Sequence, residues 1–98
     1  MQRLPYLAFE TQTGTVFAGR TVNDTQISLR LVRTHDLGCR PSLNGNIPCY
    51  WLLFESEDHT DHRAGPHVLR HHALGELLLE LVPVGHSSGR MLLQALFD

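Results

Sequence analysis

Seven residues separate Gly75 from Pro83, and seven more, Met91 to Phe97, follow Gly89. Both runs are rich in leucine, a good helix former. Seven residues nevertheless make less than two helical turns, while they are an ordinary length for a strand. Between them Gly85-His86-Ser87-Ser88-Gly89 has the composition of a turn. The pattern therefore predicts a β-hairpin over Glu76–Val82 and Met91–Phe97. Alternation then sorts the side chains. Leu77, Leu79 and Leu81 join Met91, Leu93, Ala95 and Phe97 on the more uniformly apolar face, which should fill a core. Leu78, Glu80 and Val82 join Leu92, Gln94 and Leu96 on the other.

Similar punctuation recurs upstream. Gln26–Arg33 alternates apolar and polar residues, with Ile27, Leu29 and Leu31 on one side. Tyr6–Phe9 and Gly14–Ala18 are short β-prone runs. Cys49–Glu55 is apolar on both faces and reads as a central strand covered on two sides. Arg40–Pro48 lies before it as a turn-rich segment. The expectation is an all-β fold, a small antiparallel barrel or sandwich of about six to seven short strands. Ninety-eight residues leave room for one domain, 1–98. An apolar fraction of 42% and a net charge of −2 exclude a disordered chain. No apolar run approaches the ~20 residues of a membrane-crossing helix, so no membrane partner is expected. The opening residues lack a secretory pattern, and the expected location is cytoplasmic.

The last third carries a family resemblance. His71-His72-Ala73-Leu74-Gly75-Glu76-Leu77-Leu78-Leu79-Glu80-Leu81-Val82-Pro83-Val84-Gly85, then Gly89 and Gln94-Ala95-Leu96-Phe97-Asp98, resembles the ending of an uncharacterised bacterial family of small β domains. That family's pattern runs His-Pro-x-Leu-Gly-x-Leu-x-Leu-Phe-Leu-Val-Pro-Val-Gly and closes on Tyr-x-Ala-x-Phe-Asn. Gly65–His71 is similar to the run preceding its final hairpin, and Ser28–Val32 and Trp51–Phe54 to its internal strands. His72, Glu80 and Leu93 depart from the pattern, standing where the family has Pro, an apolar residue and Tyr. The resemblance implies a small all-β fold and no catalytic residues. It also implies an association with phage-derived, tail-collar-type fibre proteins.

Charge narrows the partners further. All eight basic residues are arginine, spread along the chain and balanced by ten acids. Nucleic-acid binding normally needs a basic surplus and cluster, so no nucleic-acid partner is expected. Seven histidines would carry the net charge from −2 to +5 on full protonation (−2 plus 7). Cys39 and Cys49 are too far apart for a CxxC pair, and without a secretion signal two free thiols are expected. The sharpest metal candidate is the run Glu57–His67, where His59, His62 and His67 carry ligand chemistry beside Asp58 and Asp61. No HExxH-like framework supports it, and a solvated His-rich loop is the plainer reading. Neither a metal nor another cofactor is expected. His86, Ser87 and Ser88 lack a nucleophile elbow, which argues against a hydrolase and against an enzyme generally.

The sequence thus points to a non-catalytic assembly module. Its expected interface is the outward set Leu78, Val82, Leu92 and Leu96, and its partner a second copy or a tail-collar-type fibre protein. Two alternatives compete: a divalent-metal domain using the His-rich loop, and a small-molecule barrel with a pocket lined by Tyr50, Trp51 and Phe54.

Overall fold

The computed structural model describes residues 4–20, 24–57 and 63–98. Among these residues one short helix, α1 (Tyr6–Glu10), precedes six strands: β1 (Val16–Arg20), β2 (Gln26–Ser42), β3 (Gly45–Ser56), β4 (Gly65–His71), β5 (Gly75–Ser87) and β6 (Arg90–Phe97). Every pairing is antiparallel, and the ring β1-β2-β3-β6-β5-β4 closes into a barrel. Two three-stranded meanders, β1-β2-β3 and β4-β5-β6, meet along two seams. One is β3–β6, where Tyr50 to Glu55 face Phe97 to Leu92. The other is β1–β4, where Ala18, Gly19 and Arg20 face Arg70, Leu69 and Val68.

Alternation fills the interior as expected. Ile27, Leu29 and Leu31 of β2, Leu77, Leu79 and Leu81 of β5, and Leu93 and Ala95 of β6 are buried with Phe17, Tyr50, Leu52, Phe54 and Leu69. Packing these side chains together supplies the main stabilisation of the fold. Gly19 marks a close approach of the two meanders. A Cβ there would fall on the Val68 carbonyl oxygen and the Leu69 side chain.

The final hairpin forms where the Gly and Pro boundaries put it, but its strands run longer. β5 continues through Pro83 with a register shift before Gly85, and the turn shrinks to Ser88-Gly89 between Ser87 and Arg90. Both turn residues have positive φ, 53° and 81°, the backbone of a type I′ turn, whose twist suits a tight hairpin.

Two expectations are corrected. Tyr6–Phe9 is not a strand; it is part of α1. Pro5 precedes the helix, and Thr11, Thr13 and Thr15 donate their hydroxyls to the carbonyls of Leu7, Glu10 and Gln12, terminating the helical segment and the turn after it. Burial decides the conformation: a helix drives Phe9 onto Tyr50 and Phe97 at centroid distances of 5.8 and 6.1 Å, plugging the barrel end. Arg40–Pro48 is not a loop. β2 and β3 continue as a ribbon whose turn is only Leu43-Asn44. Beyond Arg30 the last β1 partner has passed, and before Tyr50 β6 has not begun, so this ribbon projects as an arm. It lengthens the molecule to 41 Å against 25 and 23 Å across. Strand direction alternates around the ring, so the arm and the β5–β6 turn leave opposite ends.

Candidate interaction surface

The outer face of β4, β5 and β6 is built from the second half of each strand's alternation. With Leu77, Leu79 and Leu81 committed inward, Leu78 and Val82 must face out. They are 58% and 49% exposed, and Leu96 is 53% exposed. Val68 of β4 sits directly opposite Leu78 and is also exposed. Gln94 lies between Val82 on β5 and Leu53 on β3. Leu96 neighbours Trp51, whose indole stacks on His35 at 5.2 Å. An apolar band therefore runs over four strands, with Glu80 and Gln94 interleaved.

Leu92 differs from the other three expected interface residues. It is half-buried beside Glu55, in a charged row that bounds the band. Arg90 Nη1 lies 3.4 Å from Glu55 Oε1 and 3.8 Å from Glu57 Oε2, and Arg30 Nε lies 3.0 Å from Glu57 Oε1. Such partly exposed pairs contribute at most about 1 kcal/mol each, but they give the apolar band a polar rim. Trp51 and Val68 are members the sequence reading did not assign to this surface. Val68's signal was available in the alternation of Pro66–Arg70.

The pocket imagined for a small molecule is not assembled. Tyr50 and Phe54 point into the packed interior with no exposure, whereas Trp51 lies half-buried on the opposite face of β3. That outer face is only partly covered, so β3 is not enclosed on two sides. A groove of about 900 Å³ does lie over β1, floored by Ala18 and flanked by Arg20 and Arg70. Both arginines are already paired, Arg20 with Asp24 at 2.8 Å and Arg70 with Glu76 at 3.2 Å.

His59 and His62 of the metal hypothesis lie outside the described residues. His67 is not in a loop: it sits in β4, only 4% exposed, with Nδ1 2.8 Å from the Gly65 carbonyl oxygen. Among the described residues no three His, Cys, Asp or Glu side chains gather as a metal-holding group. Cys39 is exposed and Cys49 buried, both free. Gly38 faces Cys49 and Cys39 faces Pro48, which puts the two thiols on opposite faces of the ribbon.

His71 ends β4 and is buried, whereas His72 follows it in the turn and is exposed, with the two rings 4.3 Å apart. His71 binds through both ring nitrogens. Its Nδ1 accepts from the amides of Ala73 and Leu74 at 3.0 and 3.3 Å, so the ring proton resides on Nε2. Nε2 then donates to Thr15 Oγ1 at 2.8 Å, and Thr15 donates to the Gln12 carbonyl at 2.6 Å. Burial first, and then the neighbouring His72, hold His71 below the ordinary histidine range.

The sequence pattern of a domain of unknown function, DUF6916, matches residues 4–97. The chain belongs to the DUF6916 family. No curated protein and no solved structure is similar to it. The match spans α1 and all six strands of this DUF6916 domain, from the plug through the last residue of β6.

Proposed function

We propose that this DUF6916 domain is a non-catalytic assembly module that binds another protein through the outer face of β4, β5 and β6. The supporting observation is the exposed apolar band at Val68, Leu78, Val82 and Leu96, interleaved with Glu80 and Gln94 and bounded by the Arg30–Glu57–Arg90–Glu55 row. Contiguous exposed apolar surface on a small protein marks an interaction site, and an apolar centre with a polar rim is usual interface anatomy. The partner in this reading is a second copy or a tail-collar-type fibre protein of a bacterial, phage-tail-like assembly in the cytoplasm.

Sedimentation equilibrium of the wild type and of Leu78→Asp and Leu96→Asp tests the reading. Both positions are exposed, so each variant should keep its melting transition within about 0.5 kcal/mol. Assembly, or capture of the fibre protein, should weaken because a carboxylate would be desolvated without a partner. A wild type that stays monomeric at high concentration, and a fibre protein bound equally by all three proteins or by none, would refute it.

A further inference from the structure

We propose that the β1–β4 seam is an acid-released latch, held shut by neutral His71 and freed when its Nδ1 takes up a proton. The seam is short. Among the described residues, Ala18, Gly19 and Arg20 of β1 are the ones paired with β4. Just past it, His71 does by side chain what the ladder no longer does by backbone. Its Nε2–H reaches Thr15, the residue before β1, while Nδ1 gathers the Ala73 and Leu74 amides of the β4–β5 turn. The ring also packs on Phe17 of β1 at a centroid distance of 4.3 Å. One imidazole thus joins the end of the α1–β1 connection to the turn after β4.

This arrangement requires the neutral ring. A proton on Nδ1 turns its acceptor into a donor facing two donors, so both amide bonds are lost together and the ring is driven out of the turn. The Nε2–H bond to Thr15, which the proton itself leaves intact, and the contact with Phe17 go with the ring. The charged groups around His71 offer the cation no compensation. His72, in the turn, stands 4.3 Å away ring to ring and repels a second positive charge. Arg30 of β2 donates to the Gly14 carbonyl beside Thr15 and is also cationic. Arg70 and Glu76, of β4 and β5, are paired with each other at 3.2 Å. Thr15, just before β1, and Phe17 of β1 do not titrate. Among the described residues no carboxylate makes an ion pair with the ring.

The direction with pH follows. His71 is harder to protonate in the closed barrel than in an open one, so open forms bind more protons below the ordinary value of 6.5. The latch contributes fully above that pH and is lost as pH falls through the lowered value of the closed form. Within that window the opening constant rises by up to about tenfold per pH unit.

Amide hydrogen exchange across pH 7.5 to 5, corrected for intrinsic rates, with ring titration of each histidine by NMR, tests the latch. Protection of residues 18–20 and 68–70 should fall below pH 6.5 by up to ~tenfold per unit, while residues 52–54 and 93–95 of the β3–β6 seam keep theirs. His72→Ala removes an exposed like charge and should move the His71 midpoint up toward 6.5, which narrows the window and shrinks the loss of protection at pH 5. His71→Asn keeps an acceptor for the turn amides but cannot titrate, and should make the β1–β4 seam indifferent to pH. Loss of protection equally in both seams, or β1–β4 protection that persists while His71 titrates, overturns the proposal. Should His71→Asn not fold, the His72→Ala shift decides alone, and its absence overturns the latch.

Discussion

The two seams that join the meanders are built on opposite principles. At β3–β6, six residues on each strand face one another, and the seam ends in a cluster of rings. Tyr50 and Phe97, directly paired, stack at 4.6 Å, Tyr6 and Phe9 pack onto them from α1, and the Tyr50 hydroxyl donates to the Leu4 carbonyl. At β1–β4 the overlap among the described residues is half as long, the closest point is a glycine, and the end is tied by one histidine. Broad aromatic packing is indifferent to acidity and tolerant of small shifts. A narrow seam held by backbone proximity and a single titratable ring is neither. A closed barrel can therefore have a permanent side and a conditional one.

The largest effect should come from the permanent side. Phe54 is fully buried opposite Leu93 and meets Phe17 edge-on at 5.3 Å. Phe54→Ala should cost about 3–5 kcal/mol in chemical denaturation, with every strand losing protection at once. Next, Gly19→Ala should cost about 1–3 kcal/mol, the usual range for overpacking, because the added methyl meets the Val68 carbonyl. Its exchange signature should be confined to β1 and β4; a global loss matching that of Phe54→Ala would erase the distinction between the seams. The smallest change belongs to the plug. Tyr6→Phe removes a 3.0 Å bond to Thr34 Oγ1, worth about 0.5–1.5 kcal/mol, and should leave the acid response of the β1–β4 seam untouched.

Period-2 patterning made the strands readable wherever one face is buried and the other wet. Ile27, Leu29 and Leu31 disclosed the inner face of β2, and Leu77 to Leu81 that of β5, so the outward position of Leu78, Val82 and Leu96 was legible too. Tyr6–Phe9 was misread because four apolar residues carry no period. What makes them helical is the place waiting for Phe9 against Tyr50 and Phe97, which are distant in sequence. The β2–β3 arm was misread for a complementary reason: Gly, Pro and Asn mark turns well, but two strands leaving the barrel can carry the same residues. Half-burial of Leu92 depends on Glu55 of a neighbouring strand, and the seams themselves are long-range pairings. The function of His71 lies in three partners drawn from two other segments, which no local pattern announces.

The arm has one further consequence. Among the described residues, its two long edges pair with neither β1 nor β6, and a strand edge is a template on which other chains can add without limit. Pro41 and Pro48 interrupt that template, one on each strand. Their pairs, Pro41 with Asn46 and Pro48 with Cys39, alternate with Arg40 and Ile47, so they fall on the ladder positions whose amides would point away from the hairpin. There proline sacrifices no bond inside the arm and deletes one donor from each outer edge. An incoming strand meets a broken row, which works against edge-to-edge addition along the ribbon.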